Sequence, residues 1–244
     1  MVALHQVSKV YGGGRQPVAA LDRIDLEVQP GELTCVVGAS GCGKSTLLNL
    51  VAGLDAPSAG RLHVEGRTGL MFQDAALFPW LTVAGNVDLA LKLRGVARDA
   101  RRARVETLLR TVHLSGFAAR RPHELSGGMR QRVALARAFA QDADILLMDE
   151  PFGALDAMTR DLLHDELESL WADRNLTILF VTHNVREAAR LADRIVVLSS
   201  RPGRVATTID VSIERPRRIE SPEVSELAGS VTNLLRREVL RHAH

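Results

Sequence analysis

Residues Gly38 to Thr46 form the stretch of this sequence best suited to chemistry. Glycines stand at positions 38, 41 and 43, followed by Lys44 and Ser45. Glycines let the backbone curl so that several N–H groups point inward toward an anion. Lys44 would place a cation between terminal phosphates, and Ser45 would offer a hydroxyl to a magnesium ion. The predicted nucleotide-binding residues of this loop are Gly38, Ala39, Ser40, Gly41, Cys42, Gly43, Lys44, Ser45 and Thr46.

Apolar runs flank the loop on both sides. Leu33–Val37 precedes it and is typical of a buried strand, whereas Leu47–Ala52 follows it and is typical of a buried helix. A strand, a glycine-rich turn and a helix in this order are the context that a phosphate loop requires. The helix also directs the positive end of its dipole at a bound anion. We therefore expect a nucleotide to bind here.

Two acids follow another strongly apolar run. Ile145–Met148 is followed at once by Asp149 and Glu150. In a parallel sheet, the carboxyl end of such a strand lies beside the phosphate loop. Asp149 suits a magnesium ion, directly or through water, and Glu150 suits a base that orients or deprotonates an attacking water. Paired acids at a strand tip are often ordinary capping residues, so this prediction depends on their neighbours.

Two further predicted strands end in polar residues that suit the same chemistry. Gln73 follows the apolar run Thr68–Phe72, and His183 follows the run at 177–181. Gln73 suits both the metal and the water, and His183 can donate a hydrogen bond near a γ-phosphate. One histidine at a strand end is usually structural. Polar residues at three strand ends around one phosphate loop, however, favour catalysis. We predict Glu150, His183 and Gln73 as catalytic residues, and Ser45, Gln73 and Asp149 as metal ligands.

Two more features could contact a nucleotide. Ser126, Gly127 and Gly128 begin a predicted helix that runs to about residue 140, which makes a second anion-binding helix end. Tyr11, the only tyrosine, could stack its ring on an adenine base. By itself, Tyr11 is better explained as a half-buried aromatic residue at the end of a strand.

The remaining pattern predicts an α/β core with two additions. Alternation at 2–10 predicts an edge strand, and further alternation at 21–28 and 61–64 predicts antiparallel strands set against the core. The glycines at 12–14 predict a flexible turn. Residues 80–140 hold helical patterns and no convincing strand. We therefore expect an inserted α-helical subdomain there.

The chain is expected to end in a short tail. Arg194–Leu198 is predicted to be the last core strand, and the tail beyond Asp210 carries the run Arg215-Pro216-Arg217-Arg218. An amphipathic helix capped by Ser221 and Pro222 closes it. We predict one domain over residues 1–210, with its helical subdomain at about 80–140, and a tail over residues 211–244.

Composition indicates an ordinary globular protein. The 244 residues are 46% hydrophobic and 25% charged, with a formal net charge of +2. A nucleic-acid binder would usually carry a concentrated basic face, so we expect no nucleic-acid partner. Cys35 and Cys42 lack zinc or disulfide spacing and are predicted to be reduced structural thiols. No apolar run approaches the ~20 residues that span a bilayer, and we expect no secretion signal.

Taken in order, these motifs resemble the ATP-binding subunit of an ABC transporter over nearly all of residues 1–210. The resemblance implies a P-loop NTPase core. Met129 departs from the family pattern, which often has glutamine there, but the contacts of Ser126 and the glycine backbone do not need that side chain. The matching features are the aromatic Tyr11, the Walker A loop Gly38–Thr46, the Q-loop Gln73, the signature Leu125–Gly128, the Walker B strand Ile145–Asp149 with Glu150, the D-loop Gly153–Asp156 and the switch His183.

The resemblance also implies a mechanism and partners. Two copies would pair head to tail, so that ATP and Mg²⁺ on one Walker A loop are closed by Ser126, Gly127 and Gly128 of the other copy. Closure would drive transmembrane permease subunits, with this chain held peripherally at the cytoplasmic face of the cell membrane and a substrate-binding protein as a further partner. The bend from Gln73 to Trp80 matches the groove where a permease helix docks, and local packing explains its aromatic residues equally well.

Three runs of the sequence refine the implied function. Leu77–Val83, His123–Arg132 and Phe152–Asp156 are most similar to importers of nitrate, sulfonate, taurine or bicarbonate. The implied function is therefore ATP hydrolysis that energises import of a small anion. One alternative is a soluble ABC-type ATPase of DNA repair or translation, which usually has a long coiled-coil insertion or two nucleotide domains. The other is a regulatory module without turnover, against which Glu150 and His183 argue.

Overall fold

The computed structural model describes residues 1–12 and 17–241, which form two sheets and the helices around them. Two of the three residues in the predicted glycine turn, Gly13 and Gly14, lie outside the described residues. The strands are β1 Val2–Tyr11, β2 Val18–Val28, β3 Leu33–Val37, β4 Ala59–Val64, β5 Thr68–Met71, β6 Ile145–Asp149, β7 Thr177–Thr182, β8 Arg194–Leu198 and β9 Val205–Asp210. The α-helices are α1 Lys44–Val51, α2 Val83–Leu93, α3 Arg98–Thr111, α4 Gly127–Ala140, α5 Ala157–Arg174, α6 Val185–Leu191 and α7 Pro222–Arg241.

Strands β2, β1 and β4 form an antiparallel sheet in that order. On β1, Val2 pairs with Val28 on one side and with Val64 on the other. The prediction of an edge strand at 2–10 is therefore wrong, since β1 lies in the centre of its sheet. Alternating hydrophobicity reports which face of a strand is buried, whereas the partners on its two edges come from distant parts of the chain.

The second sheet has the order β5-β6-β7-β3-β8-β9 and is parallel except for β9. Its inner strands are nearly continuous apolar runs because both of their faces are covered. On β3, Val36 packs with the N-terminal sheet and α1, whereas Cys35 and Val37 pack into the cluster formed with the later helices. The predicted mostly parallel α/β core with an antiparallel N-terminal part is confirmed.

Strand β9 corrects a second prediction. Arg194–Leu198 is not the last core strand, because β9 pairs antiparallel with it and places Ile209 opposite Ile195. No residue of β9 is fully buried, since the strand lies at the edge of the sheet. A strand covered only partly on one face leaves no apolar run in the sequence. The short helix α6 was also not predicted.

Residues 80–140 contain helices and no strand, as expected. Thr82 Oγ1 accepts a hydrogen bond from the Gly85 N–H at 3.0 Å and begins α2. Ser126 Oγ accepts one from the Met129 N–H at 3.2 Å and begins α4. Helices α2, α3 and α4, which follow β5 and precede β6 in the chain, pack on one another. The division of the chain into domains remains a prediction.

Two arginines anchor the predicted tail to the core. Arg217 is 5% exposed, and its guanidinium donates hydrogen bonds to backbone carbonyls. Arg215 pairs with Asp193 at 2.7 Å and with Glu168 at 2.8 Å, and it lies over the ring of Trp171. Helix α7 then packs on α6, so the residues after β9 belong to the same packed unit. The carbonyls that Arg217 binds are those of Arg190, Ala192, Val211 and Ile213.

Candidate functional site

The phosphate loop connects β3 to α1, as the sequence predicts. Gly43 has a φ of +102°, and a Cβ there would lie 2.7 Å from the Ala20 carbonyl oxygen. Gly41 has a φ of +75°. Glycine suits a left-handed backbone at such close approach because it has no Cβ. The loop lines a cavity of about 310 Å³, and Lys44 and Ser45 contribute side chains to it.

The loop residues divide into those that face this phosphate cavity and those that face the core. Cys42 is buried, and a Cβ at Gly38 would meet its Sγ at 2.6 Å. Burial raises the pKa of the Cys42 thiol, so it remains protonated at neutral pH. Among the predicted loop residues, the cavity is lined by Ser40, Gly41, Gly43, Lys44, Ser45 and Thr46, and not by Gly38, Ala39 or Cys42.

Lys44 is positioned for an anion. Its side chain is held by the loop itself, because Nζ donates to the carbonyl oxygens of Gly38 at 2.8 Å and Ala39 at 3.0 Å. The residue is only 7% exposed. Neutral carbonyls satisfy hydrogen bonds of the ammonium group but do not neutralise its charge. A phosphate entering the cavity would therefore meet a preplaced cation.

Asp149 and Ser45 together offer oxygen ligands beside the cavity. Asp149 ends β6, is 8% exposed and lines the cavity together with Ser45. Burial raises the pKa of the Asp149 carboxyl, while Ser45 and Lys44 oppose the rise. Mg²⁺ binds in proteins through one or two carboxylates plus substrate phosphates, and these oxygens fit that pattern. Within residues 1–12 and 17–241, no group of three or more His, Cys, Asp or Glu side chains could hold a metal ion.

Three strand tips meet at Glu150. Gln73 follows β5 and His183 follows β7, on either side of β6 in the sheet. Gln73 Nε2 lies 3.2 Å from Glu150 Oε2, and His183 Nδ1 lies 3.0 Å from the same oxygen. Because Gln73 uses its amide nitrogen here, its carbonyl oxygen is left for a metal ion. The structure thus brings together the three residues predicted as catalytic, at the edge of the phosphate cavity.

The backbone of Glu150 is itself unusual. Its φ is +47°, a region that residues with a Cβ rarely adopt. The Glu150 N–H donates to the Val181 carbonyl on β7 at 2.9 Å, which helps to hold this conformation. Strained backbone of this kind clusters at functional sites.

The other predicted nucleotide contacts lie outside the phosphate cavity. Ser126, Gly127 and Gly128 are not among its described lining residues, and Ser126 and Gly127 are exposed at the start of α4. Tyr11 is 40% exposed, and Lys9 Nζ lies 4.9 Å from its ring centroid. Within one chain, neither group reaches the loop, and their roles stay predictions.

A buried carboxylate that the sequence analysis missed supports His183. Thr182 Oγ1 donates to Glu187 at 2.7 Å and accepts from the Asn184 N–H at 3.0 Å. Burial raises the pKa of Glu187, although Thr182 and Arg160 oppose the rise. These bonds tie both ends of the turn that carries His183 to α6. The signal in the sequence that could have predicted α6, and with it Glu187, was Asn184, which caps this helix.

Arg201 is the second residue that was missed. It follows β8, lines the phosphate cavity, and its Nε donates to the Gly41 carbonyl at 3.2 Å. No phosphate-loop motif includes it. The signal in the sequence was an arginine before a Pro-Gly pair at the carboxyl end of a strand. Only the fold shows that this strand, β8, lies beside β3.

Comparison with known proteins identifies the family. The family model described as "ABC transporter" matches residues 21–153. An uncharacterised ABC transporter ATP-binding protein of Methanocaldococcus jannaschii is 43% identical over 98% of this chain and 92% of its own length. The taurine import ATP-binding protein TauB of Burkholderia thailandensis is 47% identical over 86% of this chain and 84% of its own. The nitrate import ATP-binding protein NrtD of Synechocystis is 42% identical over 94% and 93%, respectively.

Solved structures match the fold as well. The ATP-binding cassette MJ0796, in a dimeric post-hydrolysis state bound to ADP and Pi, is 32% identical with a TM-score of 0.81. The match covers 88% of this chain and all of that one. The shared cassette fold, the ordered motifs and full-length relatives lead to one conclusion: this chain belongs to the ABC transporter family.

Proposed function

We propose that this chain is the ATP-hydrolysing subunit of an importer for a small anion such as nitrate, a sulfonate or taurine. The contact of Gln73, Glu150 and His183 beside the phosphate loop carries the proposal of hydrolysis. The names of the relatives from Burkholderia and Synechocystis support import of this substrate class. No observation favours DNA repair, translation or a regulatory module without turnover.

The site residues divide the work of hydrolysis. Backbone N–H groups of the loop and Lys44 bind the phosphates, and Ser45, Asp149 and the Gln73 carbonyl would hold Mg²⁺. That ion would neutralise charge on the terminal phosphates. Glu150 accepts the proton of the attacking water or orients it, and His183 stabilises the γ-phosphate from the neighbouring strand tip.

Ser126, Gly127 and Gly128 act in a second copy of the chain. They stand at the start of α4, where Ser126 and Gly127 are exposed, and a helix start suits an anion, yet they do not line the cavity of their own chain. The dimeric form of the similar cassette supports pairing of two copies, and the family resemblance implies that they pair head to tail. ATP would then join the Walker A loop of one copy to the signature helix of the other, and Tyr11 would stack on the base.

A large groove supports a permease partner. It has a volume of about 880 Å³, with Phe72, Phe78 and Leu93 in its apolar lining. Phe72 immediately precedes Gln73, so a segment docked in the groove would lie next to the catalytic site. Trp80 is 68% exposed, and its ring lies 5.5 Å from that of Phe78. Exposed aromatic residues around a pocket are typical of protein interfaces.

The same proposal fixes where the protein works. Among the described residues, no helix is both long enough and apolar enough to cross a bilayer. Attachment to permease subunits would hold the chain at the cytoplasmic face of the membrane. A substrate-binding protein would select the anion.

The test combines hydrolysis, association and uptake. Glu150→Gln should bind ATP but lower kcat by at least about 100-fold, since the water loses its base. With ATP and Mg²⁺, this variant should sediment as a dimer, whereas Lys44→Ala should remain a monomer. Vesicles that contain the permease, its substrate-binding protein and the wild-type protein should take up nitrate, taurine or an alkanesulfonate only with ATP.

Glu65→Gln is the matched control, because Glu65 is exposed directly after β4 and does not line the phosphate cavity. It should hydrolyse ATP at the wild-type rate. Unchanged turnover in Glu150→Gln would contradict its assignment. A monomer under all nucleotide conditions would contradict the paired site, and uptake of none of the three anions would contradict the substrate class.

A further inference from the structure

We infer that Arg201 is a nucleotide-binding residue that contacts the α- or β-phosphate from the side of the loop opposite the catalytic strand tips. The inference rests on the proposed nucleotide site and extends it. Arg201 lines the same cavity as Lys44 and Ser45. It lies outside every motif from which the site was predicted.

The sheet order places Arg201 relative to the catalytic carboxylates. The phosphate loop follows β3, which has β7 on one side and β8 on the other. Asp149 ends β6 and Glu150 follows it, on the far side of β7, whereas Arg201 follows β8. The γ-phosphate must approach the carboxylate side to meet the metal and the water. The Arg201 side of the cavity therefore holds the part of the nucleotide that hydrolysis leaves unchanged.

The turn that carries Arg201 is built against the loop. The Gly203 N–H donates to the Ala20 carbonyl at 2.9 Å, and the Asp22 N–H donates to the Gly203 carbonyl at 2.9 Å. A Cβ at Gly203 would lie 2.1 Å from the Cys42 carbonyl oxygen, so the backbones are in direct contact. This packing sets the Arg201 side chain at the rim of the cavity.

The charge of Arg201 is not used elsewhere in the described chain. Arg201 Nε donates a hydrogen bond to the neutral Gly41 carbonyl at 3.2 Å. No carboxylate of residues 1–12 and 17–241 pairs with the Arg201 guanidinium. Its neighbour Arg204, in contrast, pairs with Asp22. A guanidinium with free N–H groups beside a phosphate cradle matches phosphate geometry.

The experiment measures ADP and ATP affinity by calorimetry at low and high salt. Arg201→Gln keeps a donor for the Gly41 carbonyl but loses the charge. It should weaken ADP and ATP equally, by about tenfold, which is the effect of one partly exposed charge-assisted hydrogen bond. The salt dependence of binding should fall. Arg201→Lys should recover most of the affinity.

Arg204→Gln is the matched control, because it lies in the same turn and its partner is Asp22. It should bind both nucleotides as the wild type does. Wild-type affinity in Arg201→Gln would overturn the inference, and so would a loss for ATP without a loss for ADP. A lower melting temperature of the nucleotide-free variant, unrescued by lysine, would assign Arg201 a structural role only. Failure of the wild type to bind either nucleotide would overturn the proposed function itself.

Discussion

His164 should make the protein less stable as the pH falls. The residue is fully buried on α5, with Nδ1 3.1 Å from Arg190 Nη1 and its ring against Phe152. Burial, followed by the charges of Arg190 and Arg160, lowers the pKa of His164 from 6.5 to about 3. The folded protein therefore keeps a neutral imidazole at pH values where the unfolded chain binds a proton.

The sign and the size of the change in the free energy of unfolding follow from this difference in pKa between the folded and the unfolded protein. A base with a depressed folded-state pKa contributes its full stability above pH 6.5, and that stability is lost as the pH falls toward 3. Each pH unit below 6.5 lowers the free energy of unfolding by up to ~1.4 kcal/mol. Between pH 7 and pH 5 the loss is about 2 kcal/mol. This figure hardly depends on the folded-state pKa, because pH 5 lies well above it.

The assay is denaturant unfolding at pH 7 and pH 5 for the wild type and His164→Gln. Burial raises the pKa values of Glu168 and Glu187, so both groups stabilise the folded state as the pH falls, in the wild type and in the variant alike. The wild type should lose about 2 kcal/mol more than His164→Gln over this interval. His63→Gln, at an exposed histidine, should retain the wild-type loss. Equal losses in the wild type and His164→Gln would refute the reasoning.

Two further predictions concern packing. Gly203→Ala should lower the free energy of unfolding by about 1–3 kcal/mol and weaken nucleotide binding, because its Cβ would overlap the Cys42 carbonyl. Gly229→Ala is the control and should not destabilise the protein, because a Cβ at this position of α7 would meet nothing within 4 Å. Equal melting temperatures of the two variants would contradict the predicted clash. Arg217→Leu should lower the free energy of unfolding by about 3 kcal/mol, because buried carbonyls lose their donor, whereas the exposed Arg218→Leu should change it by less than ~0.5 kcal/mol. Denaturant titration of both arginine variants tests this, and similar values for the two would show that the anchor contributes little.

Local order in the sequence explains what could be predicted. The phosphate loop needs a strand before it and a helix after it, and residues 33–52 contain all three parts. The polar residues Gln73, Asp149 and His183 could also be predicted, because Gln73 and Asp149 directly follow apolar runs and only Thr182 separates His183 from one. Their chemical roles remain predictions.

The missed features depend on contacts between distant segments. β1 has partners on both edges, and neither is encoded in its own alternation. Arg201 reaches the phosphate loop only because β8 lies beside β3. Arg217 looks like a surface residue in a polar tail, yet it is buried since four carbonyls from other turns converge on it.

The arginine anchors matter for anyone who wishes to shorten or label this protein. A truncation at Asp210 looks natural from the motifs, but it would strip Arg215 and Arg217 from their acceptors and uncover the surface of α6. Such a fragment would be prone to self-association in storage. Because α6 begins two residues after His183, a bulky fusion that loosened α7 would also disturb turnover.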